Sequence, residues 1–90
     1  MAIRTWEWNL YVSLTEQGMH APALDIDFPA RLIPSSTPGH YHLYFDKELP
    51  WHDYAKLIQV MGDIGLIEQG YAAVSLLKGM TTLRKPGVNK

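Results

Sequence analysis

The segment that most constrains the fold covers residues 35–45 and joins a turn to a strand. Its first half is rich in hydroxyl residues and contains Pro38, which fixes φ, and Gly39, which tolerates a positive φ. Its second half alternates in polarity, as strand residues do when one face is buried. We therefore predict a strand over residues 40–46 with two unlike faces. The apolar, core-facing residues are Tyr41, Leu43 and Phe45, and the others are His40, His42, Tyr44 and Asp46.

Periodicity predicts further elements on both sides of this strand. Apolar residues at three- and four-residue spacings predict a helix that begins near Pro50 and ends near Gly65, with Trp51, Leu57, Ile58 and Met61 largely buried. A second helix is predicted over 68–78, with Gly79 at its C-terminal cap. Residues 31–34 fit either a short edge strand or an extended connector. The remaining predicted elements are strands at 6–14, 21–28 and 81–85, and the first two of these are expected to form a hairpin.

The predicted order β-β-β-α-α-β describes one α+β domain over residues 1–90. Each predicted strand has one apolar face, which is typical of an antiparallel or mixed sheet covered on one side by helices. We therefore predict a sheet of about four strands with both helices packed on the same face. The opposite face of the sheet would then be open, and candidate functional residues are sought there.

Composition excludes several protein classes. Hydrophobic residues make up 47% of the chain and charged residues 19%, which argues against intrinsic disorder. The chain contains no cysteine, which excludes disulfides and thiolate metal sites and is compatible with the cytoplasm. No apolar run is long enough to span a membrane, and the first residues lack the apolar core of a signal peptide. A formal net charge of −1 does not favour nucleic-acid binding on its own.

Two carboxylates are the strongest candidate metal ligands. Asp25 and Asp27 lie two residues apart on a predicted strand, so their side chains would share the open face. Paired carboxylates suit Mg²⁺ or Mn²⁺, and such an ion can carry the phosphates of a nucleotide. The alternative is that this Asp-x-Asp is simply the solvated face of a half-buried sheet.

Histidine and tyrosine residues of the central strand supply candidate ligand contacts. His40 and His42 form a pair that could hold a transition metal or contact a phosphate, although ordinary surface histidines follow the same pattern. Tyr44 could stack on a base, as aromatic residues do on RNA-binding sheets. Arg84, on the predicted last strand, adds a cation for a phosphate. We therefore predict a ligand site formed by His40, His42, Tyr44 and Arg84.

Three segments resemble the archaeo-eukaryotic primase and primase-polymerase superfamily. They are the Asp-x-Asp at residues 25–27, the Gly-containing turn that leads into the histidine strand at 36–45, and the Arg-x-Pro-Gly-x-Asn segment at 84–89. The resemblance implies a core like that of RNA-recognition motifs, with Asp25 and Asp27 as metal ligands and His42 on a nucleotide phosphate. The family's third acidic position is missing, so a non-catalytic relative is expected.

The whole chain also resembles small uncharacterised proteins of actinobacterial phages, which implies a location in the host cytoplasm. Three functions follow from these observations. The first is a non-catalytic phage accessory protein that binds a nucleotide or nucleic acid on the open sheet face. The second is an interaction module for a host or phage protein, which exposed apolar patches would favour. The third is a metal-dependent phosphoryl- or nucleotidyl-transfer enzyme reduced from a primase-like core.

Overall fold

Two antiparallel hairpins precede two helices in this α+β chain. The structure is a computed structural model that describes residues 4–7 and 10–84. The strands are β1 (Arg4–Glu7), β2 (Leu10–Thr15), β3 (Ala30–Pro34) and β4 (Tyr41–Phe45), and the helices are α1 (Trp51–Asp63) and α2 (Gln69–Lys78). The strands pair as β1 with β2 and β3 with β4, in two separate sheets. The predicted single sheet of about four strands is therefore not confirmed for the described part of the chain.

The first hairpin replaces the strand predicted at residues 6–14. Its antiparallel pairing places Trp6 opposite Tyr11 and Glu7 opposite Leu10. This register joins even-numbered positions of β1 to odd-numbered positions of β2, so the even-numbered residues of the two strands do not share one face as the alternation predicted. Alternation along the sequence does not show where a chain reverses, and it therefore predicted one strand instead of two.

The second predicted strand, at residues 21–28, is not found. β2 ends in a turn with Gly18 at φ 78°, and an isolated bridge joins Leu14 to His20. The chain then runs to β3 without a strand or helix. The Ala21 amide still donates to the Ser13 carbonyl at 2.8 Å, but the pairing beside β2 goes no further, because Pro22 lacks a ladder donor and the two aspartates form strands poorly. The expected hairpin between the first two predicted strands was therefore wrong.

The second hairpin confirms the central turn and strand. The ladder pairs Leu32 with Leu43 and Ile33 with His42, so the ambiguous segment before the turn is a strand. In the turn, the Ser35 amide donates to the His40 carbonyl at 2.9 Å, and Gly39 has φ 82°. The sequence predicted this positive φ, because glycine tolerates it better than other residues do.

Both predicted helices are present with the expected C-terminal signals. Just after α1, Gly65 has a positive φ of 81°. α2 is capped by Gly79 in the left-handed conformation, and the Gly79 amide donates to the Ser75 carbonyl at 3.0 Å. The helices pack closely where Gly62 of α1 meets Ala72 of α2, and both residues are buried. Residues 81–84 contain no strand, and the rest of the predicted last strand lies outside the described residues.

The core is smaller than the sequence predicts. Ile58 is 3% exposed and is the one large apolar side chain in the buried class among the described residues. Leu57 and Met61 are half-buried, whereas Trp51 is 38% exposed, so the prediction that all four are largely buried is only partly right. Neither hairpin packs closely against a helix within the described residues, which leaves these side chains without a covering sheet. In that same part of the chain, no helix has the length and apolar character needed to cross a membrane.

Candidate functional site: a groove beside strand β4

A groove of about 1040 Å³ lies between β4 and the helical part of the chain. All five residues of β4 line it, whereas no residue of the fully described β3 does so. Apolar residues of α1 and of the loop after it line the other side. They are Leu57, Ile58, Met61, Leu66 and Ile67. Among the described residues no strand pairs with the second edge of β4, so the groove has a free strand edge on one side and an apolar helical surface on the other.

The two faces of β4 are exposed in the reverse of the predicted order. Tyr41, Leu43 and Phe45 were expected in the core, yet they are 60%, 51% and 40% exposed. His42 and Tyr44, expected on the open face, are half-buried. The His42 Nδ1 lies 3.2 Å from the Tyr44 hydroxyl, so these polar groups contact each other. No helix packs closely on the hairpin, so the face of β4 that carries Tyr41, Leu43 and Phe45 stays exposed to solvent.

Hydroxyl groups form a polar cluster within the groove. The Tyr54 hydroxyl lies 2.9 Å from the Thr81 Oγ1. Burial raises the pKa of the Tyr71 phenol above its ordinary value, while hydrogen bonds to Thr81 and Ser75 act in the opposite direction. Tyr44 is also near enough to raise that pKa slightly. The phenols of β4, α1 and α2 are therefore neighbours, and Tyr71 stays neutral across physiological pH.

The predicted ligand residues are only partly gathered in this groove. His42, Tyr44 and Arg84 line it together, and Lys47 adds a second cation. His40 lies in the turn before β4, is exposed, and is not among the lining residues. The structure thus brings three of the four predicted ligand contacts to one place.

The two candidate metal ligands lie elsewhere. Asp25 and Asp27 are exposed in the segment without regular structure, so the prediction that they share a strand face with His42 was wrong. The described residues contain no group of three or more histidine or acidic side chains that could hold a metal. The Mg²⁺ or Mn²⁺ site therefore remains a prediction from the sequence, without a preformed set of ligands here.

Backbone hydrogen bonds identify the free edge of β4. The Asp46 amide donates to the Pro29 carbonyl at 2.8 Å, and the Ser35 amide donates to the His40 carbonyl at 2.9 Å. These bonds lie just beyond the two ends of the β3–β4 ladder. Along an antiparallel ladder, hydrogen-bonded residue pairs alternate with pairs that are not hydrogen-bonded. The backbones of residues 42 and 44 therefore bond to β3. Those of Tyr41, Leu43 and Phe45 point away from β3, and all three residues line the groove.

Sequence reasoning missed this edge and two of the groove's phenols. Tyr54 and Tyr71 fall at the apolar spacings of the two helices, and such spacings predict packing and not a polar contact. The signal for the edge was present in the proline residues, because Pro34 removes an outward amide from β3 and β4 contains no proline. Reading that signal also required knowing that residues 30–34 form a strand.

Comparisons with known proteins leave the groove as the main guide to function. No protein-family model, no curated protein and no solved structure matches the chain.

Proposed function

We propose that this chain is a protein-interaction module that binds an extended polypeptide segment as an added strand on the free edge of β4. The observation that carries the proposal is the position of that edge along an apolar groove. A strand added there gains backbone hydrogen bonds from Tyr41, Leu43 and Phe45. Its side chains gain apolar contacts with residues such as Leu57 and Met61 in the opposite wall.

The poor burial of the hairpin supports the same proposal. An isolated two-stranded hairpin is marginally stable in water, and three or more strands with an apolar face are normally needed. Leu32, Tyr41 and Leu43 are each more than half exposed on one face of this hairpin. An added strand widens the sheet and covers part of the neighbouring apolar surface, so binding stabilises the module.

The free edge also lacks the usual protection against strand addition. Natural edge strands are commonly blocked by proline, lysine or a bulge. β3 carries Pro34 at an outward position, whereas β4 has neither proline nor lysine and pairs with β3 in a continuous register. Strand addition is therefore directed to β4 rather than to β3.

A panel of short synthetic peptides tests this proposal. The probes are capped seven-residue peptides with alternate apolar residues, each paired with a version N-methylated at alternate positions. We expect saturable binding of the unmodified peptides by calorimetry and loss of binding on N-methylation, because methylation removes the ladder donors. Leu43→Pro removes an outward amide of β4 and should abolish binding.

The matched control is Leu32→Pro, which removes the corresponding outward amide of β3 and should leave binding intact. Circular dichroism verifies that both variants retain the fold. The proposal fails if no peptide binds at millimolar concentration, or if N-methylated and unmodified peptides bind equally.

Nucleotide binding is the second candidate, supported by the meeting of His42, Tyr44 and Arg84 in one groove with Lys47 nearby. Calorimetry of nucleotides and short single strands, with and without Mg²⁺, separates it from peptide binding. Under this function His42→Ala and Arg84→Ala abolish binding. The double variant Asp25→Asn with Asp27→Asn abolishes only the part of nucleotide binding that depends on Mg²⁺. The resemblance to phage proteins makes the cytoplasm of an infected host the setting we propose for either function.

A further inference from the structure

We propose that the strand received by the β4 edge is β4 of a second copy of this chain, so that the protein forms a two-fold symmetric dimer. This inference rests on the proposed function and names its partner. The two β4 strands would run antiparallel, with Leu43 of each copy opposite Leu43 of the other. The two hairpins would then form one four-stranded sheet in the order β3-β4-β4-β3.

The backbone of β4 is self-complementary in this register. A strand pairs with its own copy only if outward-pointing residues face outward-pointing residues. Centring the pair on Leu43 places Tyr41 opposite Phe45 of the second copy, and all three of these residues point outward. Centring the pair on His42 or Tyr44 instead leaves the outward backbone groups at one end of each β4 strand unpaired. The central register therefore uses every free donor and acceptor of β4.

The side chains of the same register are also complementary. Tyr41 opposite Phe45 gives two aromatic cross-strand pairs, and Leu43 opposite Leu43 gives an apolar centre. One residue beyond each end of the strand, His40 faces Asp46 of the second copy, which places an imidazole beside a carboxylate twice. His42 opposite Tyr44 repeats across the dimer a contact that exists within each chain at 3.2 Å.

The edge of β3 offers no comparable self-pairing. Its outward residues are Ala30, Leu32 and Pro34, and Pro34 has no amide to donate. A β3 pair centred on Leu32 would place Ala30 opposite Pro34, so the donor that Pro34 lacks would leave one hydrogen bond unmade at each end. Of the two edges of the β3–β4 hairpin, that of β4 is therefore the one suited to pair with its own copy.

Charge substitutions at Leu43 test the dimer. Sedimentation equilibrium from micromolar to millimolar concentration should give the wild type a mass that rises to twice that of one chain. Leu43→Lys and Leu43→Glu should each stay monomeric, because two like charges would lie directly opposite. An equimolar mixture of these two variants should dimerise again, since Lys then faces Glu.

Leu32→Lys is the matched control, because Leu32 lies opposite Leu43 on β3, on the same exposed apolar face. It should still dimerise, whereas a dimer formed by stacking of the apolar faces would be lost. The inference is overturned if the wild type is monomeric throughout, if the mixture stays monomeric, or if Leu32→Lys abolishes the dimer.

The peptide panel separates failure of the dimer from failure of the proposed function. A monomeric wild type that binds the unmodified peptides, and not their N-methylated versions, refutes the dimer and keeps the β4 edge as a docking strand. A monomeric wild type that binds no peptide refutes both. Peptide binding is measured at protein concentrations where the wild type is monomeric, so that a second copy does not compete.

Discussion

Replacing Ile58 by alanine is expected to lower the free energy of unfolding by about 2–5 kcal/mol. Ile58 is 3% exposed, and the other apolar residues in the buried class of the described chain are Ala21 and Ala72. Removing most of this side chain deletes its transfer free energy and leaves a cavity that a helix can only partly close. Since small domains have a total stability of about 5–15 kcal/mol, this one change removes a large share.

Chemical denaturation followed by circular dichroism measures this effect. Val60→Ala is the matched control, because Val60 lies on the same helix and is 54% exposed. Its denaturation midpoint should hardly change. If Ile58→Ala does not fold, Ile58→Val gives a smaller loss of about 0.5–1.5 kcal/mol that remains measurable. Equal effects at positions 58 and 60 would contradict the packing described for α1.

Gly62→Ala is the second substitution with a large expected effect. A Cβ atom at this position would lie 2.9 Å from the Cβ of Ala72, so the two helices would have to separate. Overpacking of this kind costs about 1–3 kcal/mol, while alanine regains about 1 kcal/mol in helix propensity. We therefore expect a net destabilisation of about 2 kcal/mol, the largest difference between these two terms, because both residues are buried at the helix contact.

Gly70→Ala is the control for helix propensity. A Cβ there would meet the flexible Glu68 side chain at 3.3 Å, in an exposed part of α2, so stability should be unchanged or slightly higher. Combining Gly62→Ala with Ala72→Gly restores the space between the helices. The double variant should be more stable than the sum of the two single changes predicts. Simple additivity would show that the helices do not meet at Gly62.

Local sequence signals were sufficient to predict the helices and the central turn. The apolar stripe of α1, the glycine after α2 and the Pro-Gly turn before β4 each depend on residues close together in sequence. Positive φ at Gly39 and Gly79 follows from the same local chemistry. Such features do not depend on which distant segments meet.

The sheet arrangement depends on distant contacts and was therefore predicted poorly. Alternation showed that residues 6–14 and 21–28 could be strands, but it carries no information on where the chain reverses or what pairs with it. Pairing beside the second edge of β2 stops at Ala21, so the segment containing Asp25 and Asp27 forms no strand. The proposed metal site was derived from a strand parity that does not exist.

The site was partly predictable for a similar reason. Alternation correctly separated His42 and Tyr44 from Tyr41 and Leu43, because it depends only on the strand itself. It could not say which face would be covered, and the apolar face of β4 is the exposed one. The groove combines that strand with helices from the second half of the chain, which no local pattern specifies.

Residue-level amide hydrogen exchange on β4 tests most directly whether its edge is a docking strand. The His42 and Tyr44 amides bond to β3 and should exchange more slowly than the outward amides of β4 in dilute protein. The Tyr41, Leu43 and Phe45 amides should exchange rapidly in dilute protein and become slow when a probe peptide is added. If the peptide binds but these three amides remain fast while others become protected, the docking strand is not the edge of β4.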